Sequence, residues 1–511
     1  MTAIGTLLAR QARRRPRDTA VVFEEARLDH ASLHARVDRL ARGLAAMGLA
    51  PGDKIVTVMR NGVELLELYW AAAISGLVIV PLSPMLRRQG LCALIEDCGA
   101  AAIFTDAACA DAIDEVRGQL RALPEGRIVV AGGARPGHVE YRDVVERGGD
   151  RHRPRPAIAP DAPCSIIYSS GATSRPRGIV LTHRVRAMYG SVWAAAFRIA
   201  RGSVVVHAGS IAFNSAFLTL MPALHVGATY VLMRRYRPDA FVEAVRREGG
   251  THVMMVPSQL AALLDSPAFD AGALSSLEMI CSIGAPLDGR VAQALQGALP
   301  GRLCEVYVVA EGFMTLRDRD EPPSRLGSVG RPPPPLEMRI LRDDGSDAAP
   351  GEVGEIAGRG PLLMAGYHER PELTAQTIVD GWLRTGDLGH ADEEGYLYLA
   401  DRAKDMIKSG GVNVYPRDIE EVIARHPAVI EAAVFGVPDD AWGEAPVAAV
   451  RWHPGQIDRD GLRTWVNERV AAAYQRIRDV MPVDELPRGP TGQVEKRVLR
   501  GRYLAGERRG E

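Results

Sequence analysis

The sequence predicts an α/β protein built on doubly wound parallel sheets. Short apolar runs alternate with stretches of helical periodicity over residues 54–131, and the alternation resumes after residue 163. A proline-rich connector, GDRHRPRPAIAPDAP (149–163), separates the two runs. At 511 residues the chain exceeds one ordinary core, so two or more domains are expected.

Taken in order, Ile4, Leu7, Leu8 and Ala12 stand at helical spacing and predict a first helix, although MTAIGTLLARQARRRPRD is arginine-rich and has no acid before Asp18, as a transit peptide would. LHARVDRLARGLAAMG (33–48) predicts a second helix with a glycine stop. KIVTVM (54–59) and VIVPL (78–82) read as buried strands around the helical GVELLELYWAAAISG, and AAIFT and RIVVAG continue the rhythm. CSIIYSS, SVVVHAG, ATYVLM, THVMMVP and LEMICSIGA are the strands of the second run. Residues 203–233 carry no Asp, Glu, Lys or Arg and could span a bilayer by length. His207, Asn214, Pro222 and His225 interrupt them, and strand, loop, helix, strand is the expected order. After about residue 320 the texture changes. EPPSRLGSVGRPPPP is a loop, and LEMRILRDDG, GEVGEIAGRG and GYLYLADRAKDMIKSGG alternate as half-buried antiparallel strands do. From about 403 a smaller unit begins, with DIEEVIARHP and DGLRTWVNERVAAAYQRI as helices and VIEAAVFGVP and APVAAVRW as strands.

Composition excludes several classes. Apolar residues are 47% and charged residues 24%, the balance of a globular protein. A net charge of −1 speaks against binding nucleic acid or an anionic membrane. Cys92, Cys98, Cys109, Cys164, Cys281 and Cys304 show no CxxC spacing, so reduced thiols in a cytoplasmic protein are expected rather than zinc or disulfides.

YSSGATSRPRGIVLTH (168–183) packs glycines, hydroxyls and arginines between two apolar runs. Backbone N–H groups and hydroxyls after a strand suit a polyphosphate. Neither GxxxxGK[ST] nor GxGxxG is present, and by itself the segment reads equally as a polar turn. It resembles, however, the Ser/Thr/Gly-rich loop of the AMP-forming adenylation superfamily of acyl-CoA synthetases, aryl-CoA ligases, luciferases and peptide-synthetase adenylation domains. Five more segments follow in that family's order: SIGAPL (282–287), VYVVAEG (306–312), GWLRTGDLG (381–389), DRAKDMIKSGGVNVYPRDIE (401–420) and LPRGPTGQVEKR (486–497).

The resemblance implies a large N-terminal domain, residues 1–400, of two doubly wound sheets plus a distorted β-barrel. A small mobile α+β C-terminal domain, 401–511, would pivot about a hinge near 401–404. It implies that a carboxylic acid attacks ATP to give an acyl-adenylate, with Mg2+ assisting, and that CoA or a carrier-protein phosphopantetheine then displaces AMP. Ser169, Ser170, Gly171, Ala172 and Thr173 match the phosphate loop, and Arg177 and Gly178 its end. Glu311 matches the magnesium-associated acid, with Ser169 beside it. Tyr307 matches the adenine-stacking aromatic, although alone it would read as core. Gly284, Ala285 and Pro286 match the adenine turn. Asp387 matches the ribose acid, a role suited to a group accepting two hydrogen bonds, and Arg402 a second nucleotide contact. Lys404 takes the hinge position. Lys408, Gly410, Gly411 and Asn413 match the thiol tunnel, while the glycine pair reads also as a plain hairpin turn. Ala212, Phe213, Ser282 and Ala310 are expected around the acyl group, in an apolar pocket with no evident charged anchor. That favours an aliphatic or aromatic monocarboxylate over an α-amino acid. The expected partners are this small acid and, as an alternative to CoA, a carrier protein, with the chain a monomer or homodimer.

The chain departs from the family pattern where charge matters most. Ala172 and Ser174 replace a threonine and a glycine, Arg177 replaces the loop lysine, and Ala310 replaces the threonine before Glu311. Gln493 stands where the family has a catalytic lysine, and Lys496, three residues on, would face the other way on an extended strand. Loss of one preorganised donor costs roughly 10²–10³ in rate. Three readings stay open: an active acid–thiol ligase, a specialised relative with weakened adenylation that transfers an acyl group or activates an unusual acid, and a non-catalytic nucleotide-binding relative.

Overall fold

The computed structural model describes residues 4–149, 155–169, 177–402, 405–409, 412–439, 443–470, 475–489 and 494–506. By internal contacts the chain divides into two units, Met1–Glu337 with Arg359–Leu383, and Met338–Gly358 with Arg384–Glu511. The boundary expected at 401 falls inside the second of these.

The first unit holds two eight-stranded sheets. In one, Lys54–Val58, Val78–Pro81, Ala100–Asp106, Ile128–Ala131 and Pro163–Ser169 run parallel, as the alternating pattern predicts. Arg177–Thr182 turns back antiparallel on Pro163–Ser169, and the short Gly366–Tyr367 adds beside it. The other sheet has Val204–His207, Thr229–Leu232, His252–Met255, Met279–Ile283 and Leu303–Val309 parallel, closed by the antiparallel Phe313–Arg317. Thr19–Phe23 joins this second sheet beside Thr229–Leu232, although it precedes every strand of the first. Each sheet packs its own apolar core, Val56, Val80, Ile103 and Ile113 in one, Val206, Val253, Phe241 and Ile280 in the other.

The arginine-rich start is a helix, Thr6–Arg14, with Leu7 and Leu8 buried. Residues 203–233 form the strand, loop, helix and strand expected, the helix being Phe217–Val226 with Pro222 inside it. No helix among the described residues is long and apolar enough to cross a membrane.

In the second unit, Glu337–Leu341, Gly354–Arg359, Trp382–Ala391 and Leu397–Arg402 belong to a five-stranded sheet, the antiparallel texture anticipated after residue 320. A further sheet pairs Val429–Asp439 with Gly443–Trp452, flanked by Ile407–Ser409, Val412–Val414 and Asp479–Pro482. The helix expected over 460–477 is shorter, Arg459–Asn467. The Asn467 carboxamide ends it by pairing with both backbone groups of Ile477, at 3.0 and 2.7 Å.

Candidate active site

In the first unit, several expected site segments follow the carboxyl end of a parallel strand. Residues 170–176 follow Pro163–Ser169, Ala212 and Phe213 follow Val204–His207, Gly284 follows Met279–Ile283, and Ala310 and Glu311 follow Leu303–Val309. The last three of these strands belong to one sheet. Carboxyl ends are where open α/β sheets bind ligands.

Glu311 lies in a tight turn between Leu303–Val309 and Phe313–Arg317. Gly312 there has φ +110°, and a Cβ would collide with the Leu362 carbonyl. The segment behind the turn is fixed by the Met364 N–H, which donates to the Glu311 carbonyl at 2.7 Å. Three residues on, the Tyr367 hydroxyl donates to Glu311 Oε1 at 2.8 Å. Burial, then the Glu311 charge, raises the Tyr367 pKa, so the phenol keeps its proton. Tyr367 stands there because Gly366–Tyr367 pairs with Val180 and Ile179 of the phosphate-loop hairpin. Sequence reasoning missed it, although GYHERPELT begins with an aromatic immediately after a glycine.

Arg177 opens the return strand opposite Ser169 and is half-buried. Its charge acts on Tyr367, which places it near the Glu311 side of the hairpin. Gly178 is needed for packing, since a Cβ would press on Ile166 and Tyr168. The other end of the loop is braced by Tyr168, whose hydroxyl donates to Asp97 Oδ2 at 2.6 Å while Arg370 Nη2 holds Oδ1 at 2.9 Å. Ser170, Gly171, Ala172 and Thr173 lie outside the described residues, as does the side chain of Ser169.

Tyr307 is buried at 9% exposure and meets Phe313 edge-on at 6.5 Å. Gly284 has φ +92° and is exposed, with Ala285 half-buried and Pro286 exposed. Ser282 is wholly buried. Ala212 is buried and Phe213 half-buried, in a loop pinned by Asn61 and Tyr69. Asn61 Oδ1 accepts from Ile211 N at 2.9 Å, and the Tyr69 hydroxyl donates to the Ile211 carbonyl at 2.7 Å.

A buried charge stands close to the segment carrying Ala212 and Phe213. Arg186, 1% exposed, donates through Nη1 to Asn214 Oδ1 at 2.9 Å, one residue beyond Phe213. Asn214 also hydrogen-bonds the Tyr189 hydroxyl, and Tyr189 feels the charge of Glu311. Nothing in LTHRVRAMYG signals that its second arginine points inward.

In the second unit, Asp387 and Arg402 are opposed on neighbouring antiparallel strands. Asp387 is half-buried and follows a local brace: Thr385 Oγ1 donates to the Ile356 carbonyl at 2.8 Å and accepts from Asp387 N at 3.1 Å. Lys408 and Asn413 are likewise opposed across a hairpin. The side chains of Arg402, Lys408 and Asn413, and the whole of Lys404, Gly410, Gly411 and Gln493, lie outside the described residues. Lys496 begins the helix Lys496–Leu504, and its Nζ pairs with Glu420 at 2.9 Å. That pair engages it as a structural cation.

Among the described residues, no group of three metal-ligating side chains comes together. Glu311 suits Mg2+ nonetheless. That ion is commonly held by one or two carboxylates together with substrate phosphates.

The family model described as AMP-binding enzyme matches residues 8–368, and that of its C-terminal domain matches residues 418–493. The chain is similar to an indoleacetate–CoA ligase of Aromatoleum aromaticum, 33% identical with 96% of each chain covered. It is also similar to a feruloyl-CoA synthase of Amycolatopsis sp, 32% identical over 98% of this chain and 99% of the relative. Among solved structures, ATP-bound MatB from Rhodopseudomonas palustris superposes with a TM-score of 0.89 at 28% identity, covering 98% and 99%.

Proposed function

The chain belongs to the AMP-binding enzyme family of AMP-forming acid–thiol ligases, and from that premise we propose that it activates an aryl or aliphatic monocarboxylate and passes it to CoA. The observation that carries this reading is the Tyr367–Glu311 hydrogen bond beside the phosphate-loop hairpin. It holds a carboxylate just beyond the carboxyl end of Leu303–Val309, the edge of an open α/β sheet where ligands are met in such folds. The apolar substrate is supported by Ala212 and Phe213 and by the aromatic acids in the names of the two relatives.

Adenylation needs the acid's carboxylate aligned with the α-phosphate while phosphate charge is neutralised. Arg177 supplies one positive charge as a planar fork. Glu311 would hold Mg2+, which neutralises phosphate charge when bound. Residues 169–173 would supply N–H and hydroxyl donors, Tyr307 a face for adenine, and Asp387 an acceptor for the ribose hydroxyls. The hinge at 401–404 would reorient residues 401–511 so that 408–413 approach the thiol. The six cysteines are free and buried, which supports a cytoplasmic site of action.

The test is ATP–pyrophosphate exchange with Mg2+ over fatty, benzoic, cinnamic and arylacetic acids, run for the wild type and Gln493→Lys. Exchange in the wild type, raised by Gln493→Lys, is the expected result. Gln493 and Ala310 favour a second reading, acyl transfer from a ready-made adenylate. Absence of exchange in both proteins, with CoA-dependent turnover of a supplied acyl-adenylate, would replace the first reading by that one. A carrier-protein acceptor would show as turnover with phosphopantetheinylated carrier and none with CoA.

A further inference from the structure

Glu305 is a carboxylate buried in the second sheet. It lies in Leu303–Val309 at 6% exposure, two residues before Tyr307 and so on the same face of the strand. Opposite it on Phe313–Arg317 stands Arg317, 3% exposed, whose Nη2 is 3.8 Å from Glu305 Oε2. On the other side its register partner is Ser282 of Met279–Ile283, the strand that leads into Gly284. A buried ion pair is often no more stabilising than apolar residues of the same volume, so packing alone does not account for this one.

What the pair adds is a hydrogen-bond acceptor. Glu305 Oε1 accepts from the Leu287 backbone N–H at 3.1 Å. Leu287 closes the segment that carries Gly284, Ala285 and Pro286. Among the described residues, no backbone–backbone hydrogen bond spans 284–287, so the segment is held from its ends. At one end Ile283 is paired with Val306 in the sheet. At the other, Glu305 holds Leu287, and Asp288 caps the helix Gly289–Ala298 by accepting from Arg290 N at 2.8 Å. Between these ends Gly284 and Pro286 are exposed and Ala285 is half-buried, so backbone whose path Glu305 helps to set is open to a ligand.

We propose that Glu305 is a positioning residue for the nucleotide base: balanced by Arg317, its carboxylate fixes residues 284–286 through Leu287, so that adenine meets a turn already formed. This rests on the reading of residues 284–286 as the adenine turn of an AMP-forming ligase. A turn ordered in advance loses less conformational freedom when the base binds. Losing the brace should therefore weaken adenine nucleotides more than nucleotides of another base.

The experiment titrates the full chain with AMP and with GMP by calorimetry. Two variants are compared with the wild type, and both carry Arg317→Met so that no charge is left buried alone. In one, Glu305→Gln keeps an acceptor of the same length for Leu287; in the other, Glu305→Leu removes it. AMP should bind the Glu305→Gln variant within about 3-fold of the wild type and the Glu305→Leu variant about 10-fold more weakly. GMP should change by less than about 3-fold in both, so selectivity for AMP falls only where the acceptor is lost. Should these variants fail to fold, Glu305→Asp alone keeps the charge beside Arg317 but is one methylene short of Leu287, and the same AMP-selective loss is expected. Equal loss of AMP and GMP would make Glu305 a structural group only and overturn the proposal. So would AMP binding as tight in the Glu305→Leu variant as in the Glu305→Gln variant. Absence of AMP binding by the wild type would instead overturn the adenine-turn reading, and the proposal with it.

Discussion

The Tyr367 hydroxyl holds Glu311 Oε1 at 2.8 Å and helps to set where that carboxylate points. Groups that orient a metal-binding side chain change affinity or rate by about 10–100-fold when removed. Tyr367→Phe is therefore expected to lower pyrophosphate exchange about 10-fold, and Glu311→Gln about 10²–10³-fold. Both should fold, since each change is nearly isosteric. Extra Mg2+ should recover part of the Tyr367→Phe loss and little of the Glu311→Gln loss. Equal rates in Tyr367→Phe and wild type, across a Mg2+ titration, would remove Tyr367 from the site. Gly312 is a different kind of residue. Its φ of +110° is one that side chains rarely adopt, and the Leu362 carbonyl fills the space of a Cβ. Gly312→Ala should destabilise by about 2–4 kcal/mol, read as a lower urea midpoint. Gly312 was visible in the sequence only as part of a motif, because neither its φ nor its neighbour fifty residues on is written locally.

At the level of elements, the phosphate-loop hairpin is anchored from outside by Asp97, which holds Tyr168 on one oxygen and Arg370 on the other. The anchor lies just before the loop, so it should affect how ATP is bound more than how it reacts. Asp97→Asn keeps the shape but not the charge, and is expected to raise the KM for ATP several-fold while kcat stays within about 2-fold. A fall in kcat with KM unchanged would instead give Asp97 a part in the chemical step. The first strand of this hairpin was legible because buried parallel strands are continuous apolar runs bounded by turn residues. What lay out of reach was non-local pairing: Thr19–Phe23 crosses to the second sheet, and Gly366–Tyr367 returns to the first across nearly two hundred residues. The overlong helix at 460–477 failed for a local reason, the Asn467 side chain competing for backbone groups. Arg186 failed for a third, since one arginine among several on a helix gives no sign of burial.

For the whole molecule, acid sensitivity should begin well above the carboxylate range, because the first unit buries neutral histidines. Burial lowers the pKa of His183 and of His207 to about 4. His207 is enclosed and stacked on Tyr230 at 5.7 Å. In the unfolded chain the same rings titrate near pH 6.5. The folded pKa lies below the unfolded one, so the unfolded state binds the proton first. Their contribution is complete above about pH 6.5 and is lost as the pH falls toward 4. At about pH 5 each histidine would cost about 2 kcal/mol relative to neutrality. Urea unfolding at successive pH values should show stability falling between pH 7 and 5, before buried carboxylates are reached. His207→Phe replaces the ring by one that cannot be charged and keeps the stacking on Tyr230. Its stability curve should be flatter over the same interval by about the amount assigned to one histidine. A parallel curve, merely displaced, would mean that His207 takes up its proton equally in the folded and unfolded chain and that the pH dependence arises elsewhere.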